Sequence, residues 1–245
     1  MLDCVPSASG HGTTVAVLQP GYLPWLGFFD QFRRADVFVY YDDVQYDKHG
    51  WRNRNRIKTQ SGPLWLTVPV KASADAHAGS PPRIIDVEID GRTPWARKHV
   101  ESIRQAYARA PHLARYLPPL EEVLQRKWDR LVDLDLACAA LMAQWFGLER
   151  RIERSSALGI GGERSERLVE ICRHFGASRY VSGDAAHTYL NVPLFERHGI
   201  QVEWQQYTHP TYPQLHGEFV PYLSALDLLL NCGDDAALIA FGAMQ

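Results

Sequence analysis

The sequence predicts an α/β fold, a mostly parallel sheet flanked by helices. Two observations carry that reading. Val15-Ala16-Val17-Leu18 and Val37-Phe38-Val39-Tyr40-Tyr41 are short apolar runs separated by a helical pattern, the strand–helix–strand unit of a parallel sheet. The alternation returns late in the chain, where a helical stretch over 164–175 precedes strands at 179–183 and 202–205.

Taken in order, the first strand ends at Gln19-Pro20-Gly21, a turn signal. Trp25, Phe28, Phe29 and Phe32 then fall on one face of a helix over 24–34. The second strand stops at Asp42-Asp43, and 47–63 is polar and basic. Trp65 to Val70 alternates as a strand, 71–82 reads as a mobile surface loop, and Ile84 to Ile89 is another strand. A helical insertion or subdomain follows at about 94–150. It contains helices at 94–107, with Pro94 in the first turn, and at 128–146, where Leu131, Leu134, Cys138, Leu141, Met142 and Trp145 share a face. In the 164–175 helix, Leu168, Ile171, Cys172 and Phe175 face inward and Gly176 ends it. Helices at 221–230 and 234–241 close the chain. Residues 1–13 read as a flexible leader, and 14–245 as one domain.

Composition narrows the function. At 245 residues, 46% hydrophobic and 22% charged, the chain can build its own core and is neither disordered nor fibrous. Its 26 basic and 28 acidic residues, net −2, make a broad nucleic-acid surface an unfavoured reading. Four scattered cysteines without a CxxC imply reduced thiols and a cytoplasmic setting. No apolar run is long enough for a membrane span.

Ligands of open α/β sheets gather beyond the carboxyl ends of the strands, and those turns are loaded here. Gln19, Tyr22 and Trp25 follow the first strand; Asp42, Asp43, Gln45 and Tyr46 follow the second. Ser182, Gly183, Asp184 and Tyr189 follow a later strand, and Tyr207, His209 and Tyr212 the last. The Gln19-Pro20-Gly21 turn either presents N–H groups to an anion or rigidly seats Trp25; both uses are compatible. Asp42 and Asp43 either orient an amine or cap a turn, and since neighbours in a strand point oppositely, one faces the cleft. No second acidic cluster completes a metal site, so no metal is expected. His209, stiffened by Pro210 and Pro213, is the general-base candidate, its reference pKa lying at about 6.5. Ser182, Asp184 and His187 do not form a nucleophile elbow. GxGxxG is absent, as is a phosphate-binding GxxxxGK loop. Gly159-Ile160-Gly161-Gly162 reads as a flexible turn.

The most distinctive stretch is Trp51-Arg52-Asn53-Arg54-Asn55-Arg56-Ile57-Lys58. From Asp47 to Lys58, five basic residues against one acid leave +4. Extended, the stretch sets Arg52, Arg54 and Arg56 on one face and Asn53 and Asn55 on the other. Guanidinium forks suit phosphate or carboxylate, so the expected partner is a phosphate-bearing small molecule, with Arg52, Arg54 and Lys58 on the phosphate.

The strings VAVLQPGYLPWLGFFDQ, DVFVYYDDVQYDKHGWRNRNRIK, WLTVPV, RYVSGDAAHTYL, WQQYTHPTYPQ and FVPYLSALDLLLNCG resemble, in this order, the WbqC-like protein family over about 14–233. Carried onto this chain, the family's motif positions are Gln19, Pro20, Tyr22, Pro24, Trp25, Asp42, Asp43, Gln45, Tyr46, Trp51, Asn53, Arg54, Asn55, Ser182, Gly183, Tyr189, Tyr207, His209, Pro210, Tyr212 and Gln214. Its members resemble proteins of polysaccharide, O-antigen and natural-product biosynthesis. The resemblance therefore implies a transferase moving an acyl or aminoacyl group to the amine of an activated amino sugar or small intermediate. The donor would be acyl-CoA or the thioester of an acyl carrier protein. The strand–helix–strand opening also resembles HUP-type nucleotide-binding folds, with Gln-Pro-Gly-Tyr where their HxGH stands. That implies the alternative of an ATP- and Mg²⁺-using ligase or nucleotidyltransferase. A non-catalytic module binding a carrier protein or nucleic acid through the basic stretch is the third reading.

Overall fold

The computed structural model describes residues 12–48, 50–71 and 81–242. Most of the leader and of the 71–82 loop lies outside them. The β-branched run at the start forms β1 (Thr13–Leu18). The aromatic face after Pro24 forms α1 (Leu26–Arg34), followed by β2 (Val37–Tyr40). The basic stretch enters β3 (Arg54–Thr59), which pairs antiparallel with β4 (Gly62–Thr67) as a separate hairpin.

Residues 84–89 are not the expected strand but a 3₁₀ turn at Ile84–Asp86. Their amides turn elsewhere: Ile84 N–H donates to the Val44 carbonyl and Ile85 N–H to that of Asp42. Helices α2 (Trp95–Ala106), α3 (Leu113–Gln125) and α4 (Leu131–Trp145) follow. The sequence reading omits α3 because Pro118 and Pro119 lie inside it. The helix forms nonetheless, burying Tyr116, Leu117, Leu120, Val123 and Leu124 on one face. Also unforeseen is β5 (Arg151–Arg154), an edge strand too charged to show a strand pattern.

The remainder comprises α5 (Ser155–Leu158), α6 (Arg164–His174), β6 (Ala177–Ser182), a 3₁₀ turn at Asp184–Thr188, α7 (Val192–Arg197) and β7 (Gln201–Trp204). Helices α8 (Leu226–Cys232) and α9 (Ala236–Phe241) end it; α8 starts five residues later than 221.

Five strands form one parallel sheet in the order β5-β2-β1-β6-β7. Both faces are covered, as parallel sheets require. Val15, Val17, Val37, Val39 and Tyr180 pack with Leu168, Ile171 and Phe195 of α6 and α7. The alternate residues Ala16, Phe38, Tyr40 and Val181 join a larger core shared with α1, α2, α3, α4 and α8. The chain runs outward through β1, β2 and β5, then returns beside β1 with β6. That reversal puts a topological switch point between the carboxyl ends of β1 and β6. No described helix is long and apolar enough to cross a membrane.

One buried ion tunes this core. Asp227, fully buried on α8, accepts a hydrogen bond from the Tyr107 hydroxyl at 2.8 Å. Burial pushes its carboxyl up to about 6 despite the hydrogen bonds it receives. Between about pH 4 and 6 the folded chain holds a proton that the unfolded chain has released. The contribution is therefore full below the unfolded value and lost as pH rises through the folded one. Relative to Asp227→Asn, the parent should lose about 2.4 kcal/mol of stability from pH 4 to 7. Urea titrations of both proteins across that window check this; parallel pH curves would refute it.

Candidate functional site

The switch point is built by stitching the turn after β1 to the segment entering β3. Tyr22 N–H donates to the Arg52 carbonyl at 3.1 Å, and Arg52 Nη1 donates to the Pro20 carbonyl at 2.8 Å. A side chain at Gly21 would put its Cβ 3.0 Å from the Trp51 carbonyl, so the two segments touch only because Gly21 has none. The asparagines between the arginines are ties. Asn55 Nδ2 donates to the Leu23 carbonyl at 2.7 Å, holding Leu23 at φ 43°, and Asn53 Nδ2 donates to the Val68 carbonyl at 2.8 Å.

At the carboxyl edge of the sheet lies a cavity of 740 Å³, the size of a small-molecule site. Gln19 and Tyr22 reach it from the β1 turn, Ser182, Gly183 and Asp184 from β6, and Gln205 and Tyr207 from β7. Trp51, Arg52 and Asn55 close one side, and Arg164 and Ser165 of α6 another. The Trp25 ring stands over Gly27, where a Cβ would meet it at 2.2 Å, and packs edge-on to Tyr207 at 5.0 Å. The floor is a fixed amide pair: Gln31 Nε2 donates to Gln205 Oε1 at 2.9 Å, and Gln205 Nε2 donates to the Gly27 carbonyl at 2.7 Å. Left-handed backbone gathers here too, at Leu23, Arg164, Gln206 and Tyr222. Such strain is characteristic of sites held for function.

The electrostatics favour an anion. Arg164 makes no ion pair among the described residues, and Arg52 hydrogen-bonds only the Pro20 carbonyl, its Nε buried without a hydrogen-bond partner, while Asp135 and Asp47 lie near enough to attract its charge. The start of α6 has no side-chain cap, so its first-turn amides and the helix dipole add positive potential, offset in part by Glu163 and Glu166. The one lining carboxylate, Asp184, already accepts the amides of Gln206 and Tyr207.

Tyr189 completes the set of expected site residues that line the cavity; the others stand elsewhere. Asp42, fully buried, accepts from Ser156 N at 3.0 Å, Ser156 Oγ at 2.9 Å and Arg154 Nε at 2.6 Å, joining β2 to β5 and α5. Asp43 pairs with Arg167 and Ser155; burial would raise its carboxyl, but those hydrogen bonds hold it below the usual range. Gln45 bridges to Arg83, and burial pushes the Tyr46 hydroxyl up to about 12. Arg54 and Asn53 are not part of the cavity lining. Lys58 is 2% exposed, its Nζ donating to Gln214 Oε1 at 3.1 Å and to the carbonyls of Gly217 and Glu218. Buried Tyr212 lies beside His209 behind the Tyr207 and Tyr222 wall. His209 Nδ1 donates to the Pro210 carbonyl at 2.8 Å, leaving Nε2 a buried acceptor without a partner, and burial lowers its pKa.

Several lining residues escaped the sequence reading: Gln31, Tyr41, Arg164, Ser165, Tyr180 and Gln205. Gln205 had a signal, since it follows the last strand. Arg164 had none, its φ of 50° being invisible in the sequence.

The family model for WbqC-like proteins matches residues 19–239. The chain belongs to the WbqC-like protein family. A relative, the uncharacterized protein Rv1507c of Mycobacterium tuberculosis, is 37% identical over 224 residues, covering 91% of this chain and 95% of its own length. No solved structure matches the chain.

Because the Trp25 ring occupies the space a Gly27 side chain would need, Gly27→Ala should displace the cavity wall. The expected cost is about 1–3 kcal/mol, with a shifted tryptophan emission. Chemical denaturation and fluorescence check it; an unchanged spectrum and midpoint would refute the packing argument.

Proposed function

We propose that the switch-point cavity binds a phosphate-bearing small molecule and that the chain is a cytoplasmic transferase, moving an acyl or aminoacyl group to that molecule's amine. One observation carries the reading: two arginines without carboxylate partners in their hydrogen-bonding sets and an uncapped helix start converge on an aromatic-walled cavity. Arg52 and Arg164 hold the phosphate, Trp25 and Tyr207 cover the ring of the substrate, and Gln19 and Gln31 read its polar groups. In the transfer, the amine nitrogen bonds the donor carbonyl carbon, the thioester C–S bond breaks, and the thiol leaves with the amine proton. Within this reading Asp42 and Asp43 position the strand ends, and His209 positions the Tyr207 and Tyr222 wall. Loss of ~10²–10⁴ in turnover on His209→Ala, with ligand binding intact, would make it the base instead.

The sheet order favours a second reading. Counting only the parallel strands in chain order, it runs 3-2-1-4-5, the arrangement by which doubly wound sheets bind nucleotides at the reversal. This supports an ATP- and Mg²⁺-using ligase or nucleotidyltransferase.

Thermal shift against ATP with Mg²⁺, acyl-CoA and nucleotide-linked amino sugars separates them. A ligand at ~100 times its Kd adds about 2.7 kcal/mol, a rise of roughly 5–10 °C. A shift with the amino sugar or acyl-CoA supports the transferase; a shift with ATP alone supports the ligase. Arg52→Ala and Arg164→Ala should each weaken binding by ~10-fold or more. Undiminished affinity in both variants would refute the anion assignment.

A further inference from the structure

The exposed large aromatic side chains among the described residues are Trp51, Trp65, Tyr189 and Tyr222, from 42% exposed for Trp51 to 69% for Tyr189. Three of them line the cavity, and the fourth, Trp65, lies against Trp51 with ring centroids 5.1 Å apart. Scattered exposed hydrophobics need no explanation, but collection around one opening does. A free small molecule inside the cavity would not reach Trp65 or its neighbour Leu64, itself 41% exposed.

The cations of β3 complete this rim. The Arg54 guanidinium lies 4.7 Å from the Trp65 ring centroid, and that of Arg56 lies 5.5 Å from Trp51 and 5.6 Å from Trp65. Arg56 makes no ion pair among the described residues; its Nη2 donates to the Tyr222 carbonyl at 3.3 Å. Tryptophan, tyrosine and arginine are the residues that dominate the centres of protein–protein interfaces. Of the basic stretch, Arg52 lies in the cavity and Lys58 is buried, which leaves the Arg54 and Arg56 guanidinium groups on the rim, and these favour an acidic partner. Base stacking needs open ring faces, whereas guanidinium groups already stand over these rings. The geometry therefore favours an acidic protein surface over a nucleic acid.

We propose that this rim docks a small acidic carrier protein, which presents its acyl group on a pantetheine arm into the cavity. The inference rests on the transferase reading and deepens it by naming the donor. The rim adjoins the opening, so a partner seated on Trp65 and Arg56 holds its tethered group at the cavity mouth.

The test uses the full chain and a bacterial holo acyl carrier protein, with binding followed by fluorescence anisotropy at low and high salt. Trp65→Ala and Arg56→Glu lie outside the cavity lining, and their folding is checked by melting temperature. Each should weaken carrier binding at least ~10-fold, added salt should weaken the parent complex, and the small-molecule thermal shift should stay unchanged. Equal binding by parent and both variants, no binding at low salt, or tighter binding of a single-stranded RNA would overturn the proposal. A nucleotide-sugar shift without carrier binding removes the docking and leaves the cavity reading standing. Rim-dependent carrier binding with a flat small-molecule panel supports the docking and removes the cavity reading.

Discussion

Parallel pairing of β1 to both β2 and β6 is the constraint on which the rest of the structure depends. A parallel pair cannot be closed by a tight turn; each needs a crossover. The crossover from β2 to β5 carries the hairpin and three helices, and the crossover from β5 to β6 carries α5 and α6. Because the chain reverses direction at β1, these two crossovers diverge and leave a crevice between them. The cavity is that crevice, walled by the hairpin on one side and the start of α6 on the other.

The Arg/Asn alternation shows how a two-residue period divides labour. Asn53 and Asn55 turn inward and hold backbone carbonyls, while Arg54 and Arg56 turn outward over tryptophan rings. Arg52, just before the strand, does both, tying down Pro20 while lining the cavity. One strand thus fixes the cavity wall on one face and dresses the outer rim on the other.

Much of this was legible in the sequence where local pattern and tertiary demand agree. The β1, α1 and β2 unit, the helices α2, α4 and α6, and the loading of the strand-end turns are examples. The sequence failed to show α3, where an apolar face outweighs two prolines, and β5, where neighbouring strands impose an extended form on Arg-Ile-Glu-Arg. Gln19, Trp25 and Asp184 were visible as strand-end residues, and Arg52 as part of the basic stretch. Arg164 and Gln31 were not, because helical residues enter a site through the packing of whole elements. Asp42, Asp43 and Lys58 look like chemistry in the sequence and are spent in the fold on joining segments.

Lys58 has a consequence of its own. Residues 205–225 lack strands and helices, yet the Lys58 ammonium holds the middle of that stretch through three oxygens, and it is nearly buried. Lifting the stretch away would strip a buried cation of its acceptors, so the segment cannot open as an independent low-energy unit. Its detachment is therefore tied to that of β3 despite the absence of regular structure. An irregular loop here is anchored, as core elements are, by a buried side chain.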